Sequence, residues 1–230
     1  VPDAGTGRAV LAAGTAADGP VPGSTARQEL DGTARQEPDG SVVLADDRLR
    51  LRTDPAGQVV SLVDVAADRE LVVGDEPFGA LHLFRDEPVR WDAWDVDRHA
   101  LRHPVPVTDV RALRLIDGPL PGFVVERRFG ASTVVLTTVL RDGRVDTTCE
   151  VDWQESEHLL KVALPLALRA PEVPCETQHG LVGRPVPPST AAADARVGAP
   201  LHPHAHVAPT ADRVRLRSHP LARHDSRAPP

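Results

Sequence analysis

Apolar and polar side chains alternate with period two between residues 42 and 168, and this alternation limits the possible folds more than any other feature. Residues 144–153 show it clearly, because Val145 and Trp153 share one face whereas Arg144 and Glu150 share the other. Successive side chains of a strand point to opposite faces, so the pattern predicts strands with one buried and one solvated face. No stretch of ten or more residues has a helical period with caps. The sequence therefore predicts an all-β fold, a large antiparallel β-sandwich.

Turn residues divide this region into hairpins. A turn Asp-Pro-Ala-Gly at residues 54–57 and the pair Asp142-Gly143 each separate two alternating segments. Pro165 cannot donate to a ladder, so its strand is expected at an edge or a bulge. The expected strands are residues 48–53, 58–65, 122–129, 132–140, 144–153 and 158–168.

The two ends differ from the middle in composition. Residues 1–40 contain a short apolar segment and a tandem octapeptide, TARQELDG followed by TARQEPDG, and residues 191–230 are rich in Ala, Pro, Arg and His. We expect three parts: the end of a preceding domain plus a linker (1–40), the sandwich (41–190) and a Pro/His/Arg-rich disordered tail (191–230). The loss of alternation near residue 191 suggests the hypothesis that the tail is read out of frame.

The spacing of His202, His204 and His206 would suit a metal, but no carboxylate or thiol is placed to complete a site, so no metal site is expected.

Charge and composition exclude several classes of function. The net charge of −7 argues against binding to nucleic acid, which needs Lys and Arg to displace counterions. No apolar run approaches the length of a membrane span, and the chain has no secretory signal, so a cytoplasmic protein without membrane partners is the default expectation.

The absence of Met suggests a fragment or a processed product. Cys149 and Cys175 have no CxxC spacing and are expected to be free thiols.

The least generic stretch is residues 91–97, which holds two of the three tryptophans and three carboxylates. In an extended segment Trp91 and Asp95 would point one way and Asp92 and Trp94 the other, so each face would carry one indole and one acid. A flat apolar ring beside a carboxylate suits contact with a sugar, and it equally suits a strand end where indoles cap a core. The residue types alone leave both interpretations open.

Residues 86–97, which read Asp-Glu-Pro-Val-Arg-Trp-Asp-Ala-Trp-Asp-Val-Asp, resemble a signature in the C-terminal half of family-38 glycoside hydrolases, the α-mannosidases. Further stretches resemble that family in the same order, although Gln154, His179 and Leu181 depart from its usual residues. These stretches are 43–49, Val-Asp-Trp-Gln-Glu at 151–155, Leu-Leu-Lys-Val-Ala-Leu-Pro at 159–165 and Glu-Thr-Gln-His-Gly-Leu-Val-Gly-Arg-Pro at 176–185.

The resemblance implies a galactose-mutarotase-like super-sandwich that helps to shape the mannoside pocket of a glycosidase. In the family, a separate α/β barrel holds a zinc ion and the Asp nucleophile, and that barrel is missing here. No catalytic, cofactor-binding or metal residue is therefore expected in this chain, and zinc is expected only in the barrel. Whether the chain acts as an enzyme stays open. Its expected partners are an α-mannoside and the barrel. Two alternatives are a stand-alone carbohydrate-binding sandwich and an inactive truncated product. The residues expected near the substrate are Trp91, Asp92, Trp94 and Asp95.

Overall fold

The computed structural model describes residues 5–14, 32–73, 75–87, 99–116, 118–141, 143–167, 172–177 and 180–185. These residues form strands and a single 3-10 turn at Ala100–Arg102, with no α-helix among them. The strands, in chain order, are β1 (Gly5–Gly14), β2 (Thr33–Gln36), β3 (Val42–Ala45), β4 (Leu49–Thr53), β5 (Val59–Asp64), β6 (Arg69–Glu70), β7 (Ala80–Arg85), β8 (Val105–Pro106), β9 (Asp109–Leu115), β10 (Gly122–Phe129), β11 (Ser132–Arg141), β12 (Arg144–Trp153), β13 (His158–Ala163), β14 (Glu172–Thr177) and β15 (Gly180–Pro185).

Every pairing between these strands is antiparallel. The long sheet has the order β1-β12-β11-β10-β9, and the meander sheet has the order β2-β3-β4-β5-β6. A small sheet has the order β13-β7-β8, and β14 pairs with β15. The all-β antiparallel sandwich expected from the alternation is confirmed.

The meander sheet and the small sheet are joined into one layer. Isolated bridges link Val59 to Phe78 and Val72 to Leu166, and the Gly79 amide donates to the Ala163 carbonyl at 2.8 Å. The long sheet faces this composite layer along its length. The sandwich therefore has one continuous sheet on one side and two linked sheets on the other.

Two hydrophobic clusters fill the space between the layers. The first joins the meander sheet to the long sheet through residues such as Leu44, Leu51 and Phe123, and the second joins the small sheet to the long sheet through Leu81 and Phe129. Fully burying one such side chain stabilises a fold by about 1.5–3 kcal/mol. The core thus follows from the buried face of each alternating strand.

Most of the expected strands are confirmed with small changes at their ends. β4 and β5 form the predicted hairpin around the turn at 54–57, where Asp54 Oδ1 accepts the Gln58 amide at 2.8 Å. The predicted faces of β12 are also confirmed, because Val145 and Cys149 are buried while Arg144 and Glu150 are exposed. β13 ends before Pro165 and lies at one end of the small sheet, in agreement with the expected edge position.

The N-terminal segment contributes strands to this sandwich. β1 pairs with β12 over ten residues, from Gly5 opposite Trp153 to Gly14 opposite Arg144, and β2 is the first half of the second octapeptide. The division of the chain at residues 40 and 190 stays a prediction, and residues 186–230, with the three tail histidines, lie outside the described residues. Within the described ranges, no helix has the length and apolar character needed to cross a bilayer.

Candidate functional site

The four residues expected near a substrate, Trp91, Asp92, Trp94 and Asp95, lie within residues 88–98 and outside the described residues. The structure does place the two ends of that segment. On one side, the Asp86 amide just after β7 donates to the carbonyl of Glu157 at 2.7 Å, which fixes it beside the start of β13. On the other side, the 3-10 turn at Ala100–Arg102 packs against β7. Residues 88–98, which include the two indoles, are therefore flanked on both sides by residues that contact the small sheet.

The small sheet carries a distinct set of side chains on the face turned away from the long sheet. Leu81 and Leu83 of β7 and Leu160 and Val162 of β13 pack toward the long sheet, so alternation turns their neighbours outward. These neighbours are His82, Phe84 and Lys161, which we call the β7–β13 face.

An ammonium group and an aromatic ring meet on the β7–β13 face. Lys161 lies opposite His82 in the ladder, and its Nζ sits 5.7 Å from the centre of the Phe84 ring, within the range of a cation–π contact. Burial lowers the pKa of Lys161, because removal from water disfavours its charged form. The His82 and Phe84 rings meet edge to face with centroids 6.3 Å apart, and His82 Nε2 lies 3.2 Å from Glu76 Oε1. Phe84 is 7% exposed, so its ring is not free to stack on a ligand, and the face offers Lys161 and His82 as hydrogen-bonding groups.

Sequence reasoning noted Lys161 only within the stretch at 159–165 and missed His82 and Phe84. Among the described strands, β13 lies at the edge of the small sheet, so Lys161 is an edge residue. The signal for the other two was present: in Leu81-His82-Leu83-Phe84 the alternation places His82 and Phe84 on one side. Their meeting with Lys161 depends on the β7–β13 register, which the pattern does not encode.

The Val-Asp-Trp-Gln-Glu stretch at 151–155 has a structural role. Trp153 packs on Phe129 with ring centroids 5.8 Å apart, at the end of the second core cluster. Glu155 Oε1 accepts the Ala131 amide at 2.8 Å and the Ser132 hydroxyl at 2.9 Å. This stretch is therefore a strand end whose Trp caps the core and whose Glu holds a turn.

The described residues bring no three His, Cys, Asp or Glu side chains close enough to hold a metal ion. Cys149 is a buried free thiol. Burial, with a smaller effect from Glu150, raises the pKa of Cys149 to about 11, which disfavours the thiolate form that metals bind. Nothing in the described part of the chain therefore fits the zinc that the resemblance implies for the barrel.

Comparison with known proteins gives matches over most of the sandwich. A family model for the C-terminal domain of family 38 glycosyl hydrolases matches residues 44–216. Alpha-mannosidase 2C1 of Mus musculus is 34% identical over 157 residues, which is 65% of this chain and 15% of the mouse protein. Alpha-mannosidase 2C1 of Homo sapiens is 33% identical over 157 residues, with the same coverage. Alpha-mannosidase G of Dictyostelium discoideum is 26% identical over 161 residues, 66% of this chain and 15% of that protein. The chain thus matches about 15% of the length of these curated relatives.

Proposed function

The chain belongs to the family of glycosyl hydrolase family 38 C-terminal domains, and we propose that it forms the supporting β-sandwich of an α-mannosidase. The observation that carries this proposal is the 34% identity to mouse alpha-mannosidase 2C1 over 157 residues. In this proposal the sandwich completes the mannoside pocket, while a catalytic barrel outside these 230 residues supplies the zinc ion and the nucleophile. The proposed location is the cytoplasm.

The pocket wall is proposed to be the segment with Trp91, Asp92, Trp94 and Asp95 together with the β7–β13 face. Two features support this assignment. Both described flanks of the segment meet the small sheet, at Asp86 and at the 3-10 turn. The β7–β13 face also provides Lys161 as a donor beside an aromatic ring. Indoles would stack on the sugar, and the carboxylates and the ammonium would bind its hydroxyls.

The chain alone is proposed to lack catalytic activity. A retaining glycosidase needs a nucleophile and an acid about 5 Å apart, with the acid held at a raised pKa. The described carboxyl groups with a shifted pKa are Asp39 and Glu70, and in both the pKa is lowered, which is the opposite of what a catalytic acid needs. Hydrogen bonds from Ser41 lower the pKa of Asp39, and in Glu70 burial acts to raise the pKa but bonds from Ser61 and backbone amides outweigh it.

The activity test compares this chain with the complete polypeptide that contains the barrel, using an aryl α-mannoside as substrate. We expect turnover only by the complete polypeptide, with loss on addition of a chelator. Within it, Asp92→Asn and Trp94→Phe should each lower kcat/KM by roughly 10- to 100-fold, the effect of losing about 1.5–3 kcal/mol of charged hydrogen bonding or stacking. Asp109→Asn is the matched control, because this exposed acid lies in the long sheet. Chelator-resistant turnover by this chain alone would overturn the proposal.

A stand-alone sugar-binding module is the second candidate, favoured by the pairing of indoles and acids in residues 91–97. Replacing Trp153 by Phe leaves only the indoles at 91 and 94 as fluorophores, because the chain has three tryptophans. A saturable fluorescence change with mannose, lost in Trp91→Phe, would establish binding without the barrel. A flat titration would leave the supporting role as the function.

A further inference from the structure

The outer face of the meander sheet carries a cluster of arginines. In β4 every second residue is buried, so Arg50 and Arg52 point away from the core while Leu51 between them is fully buried. Arg35 of β2 and Arg52 of β4 both lie beside Val43 of β3 in the ladder, one on each side of that valine. Three arginines from two strands therefore share this face of the sheet.

Val43 is covered although its side chain lies on the outer face. It alternates with core residues on either side, yet it is only 7% exposed. Arginine can lay its methylene stem along an apolar surface while the guanidinium stays in water, which accounts for the burial of Val43 between Arg35 and Arg52. The side chain of Arg35 is 67% exposed, and Arg50 and Arg52 are exposed residues. The guanidinium groups are therefore accessible to solvent, around an apolar floor.

The arginines line a shallow depression that is open to solvent. Its volume is about 330 Å³, and its lining consists of Arg35, Val43, Arg50, Arg52 and Ser61. Sites for small molecules occupy about 300–1,000 Å³. A small ligand can thus reach the guanidinium groups without any movement of the core.

Three carboxylates lie near the depression, but each of them is engaged by other groups. Glu37 accepts a hydrogen bond from Nε of Arg35, which uses one of the five N–H donors of that guanidinium. Asp39 accepts the amide and the hydroxyl of the residue two positions on, at 2.9 and 2.6 Å. Glu70 accepts the Ser61 hydroxyl at 2.6 Å. None of these three carboxylates is part of the lining.

The guanidinium groups of Arg50 and Arg52 have no direct protein partner within the described ranges. Neither forms a hydrogen bond or a salt bridge there, and Asp39 interacts with Arg52 only through space. A carboxylate has two oxygens and pairs with one guanidinium fork, whereas a phosphate monoester presents three acceptor oxygens and about 1.5–2 negative charges. A phosphate group therefore matches several arginines around one depression better than a carboxylate does.

We propose that this depression binds the phosphate group of a small phosphate monoester, with the carbon part of the ester on Val43. Arg50 and Arg52 hold the phosphate oxygens, and Arg35 adds its remaining donors. Arginine suits this role because its planar fork binds two phosphate oxygens at once. The site lies on the outer face of the meander sheet, and it does not depend on the mannosidase function proposed above.

Isothermal titration calorimetry on the 230-residue chain tests the proposal. Phenyl phosphate is the probe ester, and benzoate is the carboxylate with the same aryl body. We expect saturable binding of phenyl phosphate, tighter than that of benzoate because of the third oxygen and the second charge. It should also be tighter than that of inorganic phosphate, because only the ester contacts Val43.

Matched variants locate the site. Arg50→Met and Arg52→Met should each weaken the binding of phenyl phosphate by roughly 10- to 100-fold, the effect of losing hydrogen bonds to a charged group. Methionine keeps an apolar stem beside Val43, so the floor of the depression stays covered. Arg141→Met is the control, because this exposed arginine ends β11 in the long sheet, and it should leave the affinity unchanged.

Several results would contradict the proposal. Absence of saturable binding would overturn it, as would an affinity that is the same in Arg52→Met and in the unmodified chain. Equal affinities for phenyl phosphate and benzoate would show that these arginines attract any anion. If the variants do not fold, competition on the unmodified chain decides: sulfate should displace phenyl phosphate, and equal displacement by chloride at the same ionic strength would reduce the site to general charge attraction.

Discussion

The fit of the β4–β5 hairpin tip against the long sheet gives a prediction that separates backbone strain from packing. Gly57 has a φ of 71°, and a Cβ there would lie 2.5 Å from Val125 Cγ2 and 2.7 Å from Leu113 Cδ1. Gly79 has a similar φ of 80°, but a Cβ at that position would meet no atom within 4 Å. The substitutions Gly57→Ala and Gly79→Ala therefore impose the same backbone strain in different surroundings.

The expected magnitudes follow from these contacts. A left-handed conformation costs an alanine about 1–2 kcal/mol, and the lower entropy of its unfolded chain offsets about 0.4–1 kcal/mol of that cost. Gly79→Ala should therefore lower the free energy of unfolding by about 1 kcal/mol. At Gly57 the new methyl group must also displace Val125, which is fully buried, and overpacking of this kind costs about 1–3 kcal/mol more. Gly57→Ala should lose about 2–4 kcal/mol in all.

Urea unfolding followed by tryptophan fluorescence measures the two losses. Each variant should shift the midpoint without a change in the m-value, since the surface exposed on unfolding is unchanged. In thermal unfolding the expected decreases are roughly 4–16 °C for Gly57→Ala and roughly 2–4 °C for Gly79→Ala. Equal losses for the two variants would show that the hairpin tip is not seated on Val125, and the interlayer packing described above would be wrong.

Three further predictions test other parts of the fold. Burial raises the pKa of Cys149 from 9.0 to about 11, so its contribution to stability is complete below about pH 9 and is lost as the pH rises toward 11. In a Cys175→Ser background, Cys149→Ala should remove that alkaline loss, and the chain, which has no Tyr, gives a clear measurement. Glu155→Ala should cost about 1.5–3 kcal/mol by releasing the β10–β11 turn, whereas Glu155→Gln should cost less than about 1 kcal/mol in urea unfolding; equal costs would argue against the role of its two hydrogen bonds. Deletion of residues 33–40 places the first octapeptide beside β3 with Leu in place of Pro, so urea unfolding should show a loss of only about 0.4–1 kcal/mol, and a larger loss would mean that the two copies are not interchangeable.

The alternating pattern was sufficient to predict the fold class and strands such as β4 and β11, in which buried positions recur at every second residue. It could not predict the pairing of β1 with β12, since that contact joins residues more than a hundred positions apart and an alternating segment does not specify its partner. The division of the second layer into two linked sheets was missed for a similar reason. The links are isolated bridges at Val59 and Val72, which have no sequence signature.

The candidate site was predictable in part. The scarcity of aromatic residues drew attention to the segment around Trp91 and Trp94, and the described flanks of that segment lie on the small sheet. The approach of Lys161 to Phe84 was not predictable, because it depends on the register between two strands separated by more than seventy residues. The burial of Arg127 was also missed. Alternation places this position on the buried face of β10, whereas an arginine side chain suggests a solvated face.

Because of the β1–β12 ladder, the region that matches the family model is not the same as the region that forms the long sheet. The family match begins at residue 44, but ten rungs of the long sheet are completed by a strand that lies upstream of it. A protease cut between β1 and β2 would therefore yield two polypeptides that stay associated through main-chain hydrogen bonds and separate only in denaturant. Trimming the gene to the homologous region would instead leave β12 as a bare edge, open to pairing with another molecule.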